Sequence, residues 1–158
     1  MQEVLDVGPY PFKLRLQEAI QDGNFPPAYD QHPVVQGSSP DDPVLPVALY
    51  LDGLPYTLTD SVLGIWLINM LTGVHHCLIV LRKRLCCKCG CRGWCTLYKI
   101  WAYLHWSLKA MADKVYPERG PDGSEFTEGD QLLRSHAGQQ MPSRVCCMHL
   151  SSSIGRVT

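Results

Sequence analysis

Between Cys86 and Cys95 the chain reads Cys-Cys-Lys-Cys-Gly-Cys-Arg-Gly-Trp-Cys, which places five of its eight cysteines in ten positions. Neighbouring cysteines such as Cys86 and Cys87 do not easily reach ordinary disulfide geometry, so this run makes a poor disulfide framework. A metal suits it better. Cys86-x-x-Cys89-Gly90 has the spacing that lets two thiolates meet one zinc ion while glycine frees the tight turn, and Cys91 and Cys95 complete a four-ligand set. Cys86 and Cys87 compete for the first position, and His75 or His76 on the preceding segment is an alternative donor if the loop is too tight. A structural zinc site of this kind contributes folding free energy and keeps no open position for catalysis. Reactive or lipidated thiols, or thiols without a role, are the alternatives.

The formal charge of −1 conceals a division along the chain. Residues 1–60 carry two Lys/Arg against nine Asp/Glu, residues 82–114 carry eight against one, and residues 115–158 carry four against five. An acidic front thus precedes a basic centre of +7. Such a centre points toward phosphate or another anionic surface, although the front can also fold over it. No secretory signal opens the sequence, so the cysteines are expected in a reducing, intracellular compartment, nuclear or cytoplasmic.

Four regions follow from patterning. Residues 1–23 hold a peripheral amphipathic helix that starts near Pro11, presents Phe12, Leu16, Ala19 and Ile20, and ends at Gly23. Residues 24–45 are proline-rich and read as a linker or extended arm. Residues 46–117 form the α+β domain. In it, the apolar run Val47 to Leu51 reads as a strand buried on both faces, closed by Asp52-Gly53. Val62 to Leu67 and Cys77 to Leu81 then read as a hairpin about a turn at Leu71-Thr72-Gly73. After the cysteines, Leu97, Ile100, Trp101, Leu104, Leu108, Met111 and Val115 recur at helical spacing, with Thr96 as a cap and Pro117 beyond the end. The expected fold is therefore α+β, with a three-stranded antiparallel sheet followed by a helix. Residues 118–158 read as a mostly disordered tail.

The basic residues Arg82, Lys83, Arg84, Lys88, Arg92, Lys99 and Lys109, with Tyr103 and Trp106 on the outer side of the helix, are the candidate nucleic-acid contacts. Lysines neutralise phosphates and aromatic faces stack on bases. A protein partner that buries the same rings fits the pattern as well. Asp52, at the end of the most buried strand, needs solvent, a donor or a metal to offset its burial, and it is the candidate catalytic carboxylate for Mg²⁺-assisted phosphoryl transfer. An Asp-Gly turn opening a loop is the simpler alternative.

The order of a buried strand ending Leu49-Tyr50-Leu51-Asp52-Gly53, a hairpin and a helix resembles the front of an RNase H-like fold, as in ribonucleases H, integrases and DDE-type cut-and-paste transposases. That resemblance implies a first catalytic aspartate at Asp52, over residues 46–116. Asp52-Gly53, Asp60-Ser61 and Cys-Gly-Cys-Arg-Gly-Trp-Cys also resemble repetitive protist proteins for which a mobile-element origin is implied. The pattern departs from a complete enzyme. Two-metal nucleases need further carboxylates converging on the first, and the helix from Thr96 to Ala112 contains none.

The expectation is thus a truncated or degenerate transposase-like, zinc-stabilised protein that binds DNA or RNA. It would lack activity alone, and Mg²⁺-dependent nuclease or strand-transfer chemistry would apply only if it were active. Two alternatives stand beside it. One is a single-pass membrane protein spanning Val62 to Leu81, with a basic cytoplasmic flank and palmitoylated cysteines. The other is a zinc-containing protein-interaction module.

Overall fold

A computed structural model describes residues 9–39, 41–55 and 57–152. The elements are α1 (Pro9–Gln21), a one-turn helix α2 (Pro33–Gln36), β1 (Val44–Pro55), β2 (Ser61–Asn69) and β3 (His75–Arg82). A 3₁₀ turn (Lys83–Leu85) leads to the cysteine loop, followed by α3 (Trp94–Asp113), a short α4 (Gln131–His136) and β4 (Arg144–Ser152). The strands form one mixed sheet in the order β3-β2-β1-β4, antiparallel across β3-β2-β1 and parallel between β1 and β4.

β1 lies inside this sheet, and its apolar run alternates. Val47, Leu49 and Leu51 are buried, while Ala48 and Tyr50 on the other face are only half-buried, so the strand is not buried on both faces as the unbroken run suggests. Leu49 and Leu51 pair with Leu67 and Ile65 across β2. On that face they pack with Leu104, Ile100, Trp101 and Leu108 of α3, the helical stripe that the periodicity predicts. The opposite face carries Tyr50 against Trp66, with ring centroids 5.9 Å apart. Trp66 folds back over Gly64, where a Cβ would overlap its ring; the glycine is there for this close approach.

The β2–β3 connection is built by Asn69. Its buried Oδ1 accepts the amides of Leu71 (3.0 Å) and Thr72 (3.2 Å), while the Gly73 amide, at φ 73°, donates to the Asn69 carbonyl. Polar Asn69, Thr72 and Gly73 thus turn the chain in mid-segment, and Val62 to Leu81 is a hairpin. No helix among the described residues is long and apolar enough to cross a membrane.

The structure corrects three expectations. The sheet has four strands and is mixed, because β4 joins β1 in parallel. Of the residues expected in a disordered tail, the described part to residue 152 forms α4 and β4, and 153–158 lie outside the described residues; Cys146 is 1% exposed in a second core with Phe12, Leu16, Tyr29, Val44, Leu45 and Val47. The proline-rich stretch after residue 24 also packs there: Tyr29 is buried and its hydroxyl donates to the Val44 carbonyl at 2.7 Å. Burial pushes the Tyr29 phenol up, and it pushes the Cys146 thiol up to about 12. Asp42 then fastens the front to the far end of the fold. It accepts from Lys114, the residue that caps α3, and from Arg144 of β4 at 2.9 Å, and Arg144 also donates to the Ala112 carbonyl.

Candidate metal centre and basic surface

Between β3 and α3 the chain has no hydrophobic core to rest on; what organises it is a sequence of left-handed turns. Gly90 (φ 89°), Arg92 (φ 53°) and Gly93 (φ 84°) all adopt positive φ, which an L-residue such as Arg92 does at a cost. The turn also draws on backbone donors: the Trp94 amide donates to the Cys91 carbonyl at 3.0 Å, and the Thr96 and Leu97 amides reach back to Gly93. The Cys87 amide donates to Thr96 Oγ1 at 2.9 Å, which ties the start of the loop to the first turn of α3.

This winding gathers the sulfurs of Cys87, Cys89, Cys91 and Cys95 within 4.8 Å of one another. Zinc–thiolate bonds of about 2.3 Å in a tetrahedron set the sulfurs about 3.8 Å apart, and Cys89 Sγ and Cys95 Sγ stand at 3.7 Å. The four thiols are placed to hold one metal ion, and an all-sulfur donor set of this size fits zinc.

Cys86, taken above as the first ligand, lies outside the cluster, and Cys87 takes its place. Cys86 closes the 3₁₀ turn, its amide donating to the Lys83 carbonyl, and its side chain lies beneath Gly93, where a Cβ would come within 3.2 Å. It is packing that part of the loop. His75 and His76 remain on β3, opposite Ile68 and Leu67, and neither joins the four sulfurs.

Crowding separates the thiols' proton affinities. The Cys95 amide donates to Cys91 Sγ at 3.3 Å and, with the Cys89 thiol, holds Cys91 down to about 6. Cys95 keeps its proton, donating a hydrogen bond to that sulfur, and is pushed up to about 12, while the hydrogen bond with Cys87 raises Cys89. Four sulfurs this close resist ionising together unless a cation joins them.

The basic residues fall into two groups. Asp60 draws in Arg82 (Nη2 at 2.9 Å) and Arg84 (3.6 Å), and the Arg84 and Ser61 amides also donate to it. Burial raises the Asp60 carboxyl, but those donors outweigh it and leave it below the usual carboxylate range. Lys109 pairs with Asp113 at 2.7 Å. The acidic front therefore does fold onto part of the basic centre. Lys83, Lys88, Arg92 and Lys99 are exposed and make no ion pair among the described residues.

On α3, Tyr103 is half exposed beside Trp106, at 5.3 Å between centroids. Trp106 is engaged from within: its indole N–H donates to the Arg119 carbonyl at 3.1 Å, and it lines a cavity with the loop from Gly120 to Thr127. The sequence reading passed over Trp94 and Tyr98, which are the more exposed rings. Their four-residue spacing beside Arg92 and Lys99 was the available signal.

Asp52 sits half-buried near the end of β1, paired with Gly64 across β2. β4, the strand on its other side, reaches Ser152 opposite Leu51 and contains no Asp or Glu between Arg144 and Ser152. Two of the acids after α3 are taken up locally: Asp122 accepts from Ser124, and Asp130 accepts the Thr127 amide and hydroxyl. No convergent carboxylate set forms around Asp52 from these residues.

In comparison with known proteins, no family model matches the chain, and no curated protein or solved structure matches it at a significant level.

Proposed function

We propose that this chain is a zinc-stabilised α+β protein that binds nucleic acid through its basic centre and serves as a binding element of transposase-like descent. The observation that carries the reading is the four-sulfur cluster: a loop with no apolar core closes around donors that fit one zinc ion. Bound there, the ion would fix the loop that carries Lys88 and Arg92 and fasten it to the start of α3. Because four thiolates outweigh a divalent cation by two charges, the flanking Lys83, Lys88, Arg92 and Lys99 also balance the loaded site.

Two further features support the transposase-like part. A further strand, β4, follows the helix and pairs with β1 in parallel, which is compatible with the RNase H-like reading. No Asp or Glu occurs from Ser61 to Ala112, which leaves this stretch of surface with cations and no acidic counterpart of its own. Asp52 is the residue that would hold Mg²⁺ in a catalytic relative. With no carboxylate on β4 to join it, binding is the stronger reading for this chain.

Metal-loaded protein titrated with DNA and RNA across a salt series tests the reading. Phosphate-driven binding loses affinity steeply as salt rises, roughly linearly in log–log form. A flat response, or no binding at low salt by protein that carries its metal, contradicts it and leaves a protein-interaction module.

A further inference from the structure

At the start of α3 two large aromatic rings stand in solvent. Trp94 is 57% exposed and Tyr98 61%; four residues apart, they share a helix face, with centroids 6.4 Å apart and planes inclined at 53°. Neither belongs to the core that α3 forms with the sheet. Lys88 and Arg92 lie in the cysteine loop just before Trp94, and Lys99 follows Tyr98, all three without an ion-pair partner among the described residues. Exposed Tyr103 comes four residues after Lys99, on the same side of the helix as that lysine.

We propose that this face binds single-stranded nucleic acid, with Trp94 and Tyr98 each stacking on a base while Lys88, Arg92 and Lys99 meet the phosphates. The proposal rests on the nucleic-acid reading above and specifies its ligand. Phosphate attraction alone accepts duplex and single strand alike. Rings do not: in a duplex each base face is covered by the next base about 3.4 Å away, so only unpaired, splayed bases offer a face to a side chain. The inclination of the two rings points the same way. Planes 53° apart cannot both lie parallel to consecutive bases of a regular stack, but they can each take a base from a strand that bends between them. A protein partner would also cover the rings, yet a rim of three unpaired cations favours a polyanion over a mixed protein surface.

The test uses the full, metal-loaded chain, a labelled thymidine oligonucleotide and a duplex of the same length, at one salt concentration, with tryptophan quenching as a second readout. The expected result is tighter binding to the single strand with quenching. Trp94→Ala and Tyr98→Ala should each weaken single-strand binding about tenfold or more, leave duplex binding within twofold and retain the metal, while Trp94→Phe keeps most of the affinity. Because Trp94 begins α3 beside the loop, Tyr98→Ala is the cleaner variant. Equal affinity for both nucleic acids, unchanged by either alanine, overturns the stacking proposal and leaves the phosphate reading standing. Failure to bind either one overturns both. Preference for vesicles of anionic lipid over the oligonucleotide also overturns it.

Discussion

The sheet centred on β1 and the loop between β3 and α3 are held by different physics. Around β1, Leu49, Leu51 and Ile65 are excluded from water and closed over by Leu104, so hydrophobic burial holds this core together. The loop has thiols that are half or fully exposed, three left-handed residues in four and no core. Its four sulfurs lie where one cation could join them, and on the zinc reading proposed above that cation would add to the order its turns supply. One region should therefore answer to methyl groups and acid, and the other to chelators.

The largest expected effect is in the sheet. Ile65 is 1% exposed at the centre of the α3-facing core, and Ile65→Ala should cost about 2–5 kcal/mol in denaturant unfolding while the surviving folded protein binds metal as before. A loss of metal in step with stability would show that the two regions are not separable.

Asp42 comes next. Burial opposes its ionisation, but Lys114 and Arg144 outweigh that and keep its carboxyl below the usual range. A carboxylate depressed in the folded state contributes stability that is full above the unfolded value near 4 and disappears as pH falls through the folded one. Asp42→Asn should cost about 1.5–3 kcal/mol at neutral pH and flatten the acid limb of the stability curve below about pH 4. An unchanged acid limb would place the acid sensitivity elsewhere.

Gly64→Ala should cost about 1–3 kcal/mol by pushing Trp66 off the sheet, with a red shift in tryptophan emission. Emission unchanged from wild type would contradict the packing of that ring.

The smallest global effect is the sharpest for the comparison. A chelator should speed amide hydrogen exchange at Cys95, Thr96 and Leu97, where α3 begins, and leave the β1 amides protected. Equal loss of protection in both would make them one cooperative unit.

Much of the sheet was legible in the sequence because its signals are local. The run from Val47 to Leu51 and the three- and four-residue spacing from Leu97 to Leu108 each declare their own burial. β4 was not legible: Arg144 to Ser152 is polar at its end and flanked by serines, and it becomes a strand only because β1 offers an open edge and Cys146 finds a core made by Phe12 and Tyr29. In the loop, four-thiol chemistry was readable from spacing, but the choice between adjacent Cys86 and Cys87 was not. That choice is made by packing beneath Gly93 and by the bond from Cys87 to Thr96, neither of which has a one-dimensional signature. Trp94 was hidden because a helix capped at Thr96 leaves it in the cysteine loop, whereas the helix begins at Trp94 and so sets it one turn before Tyr98.

Metal stoichiometry in three proteins, by native mass spectrometry of the intact chain, tests the central claim most directly. Wild type and Cys86→Ser should each carry one zinc ion, and Cys87→Ser should lose tight binding. Retention of the ion by Cys87→Ser together with its loss from Cys86→Ser, or no ion in the wild type, would contradict the account.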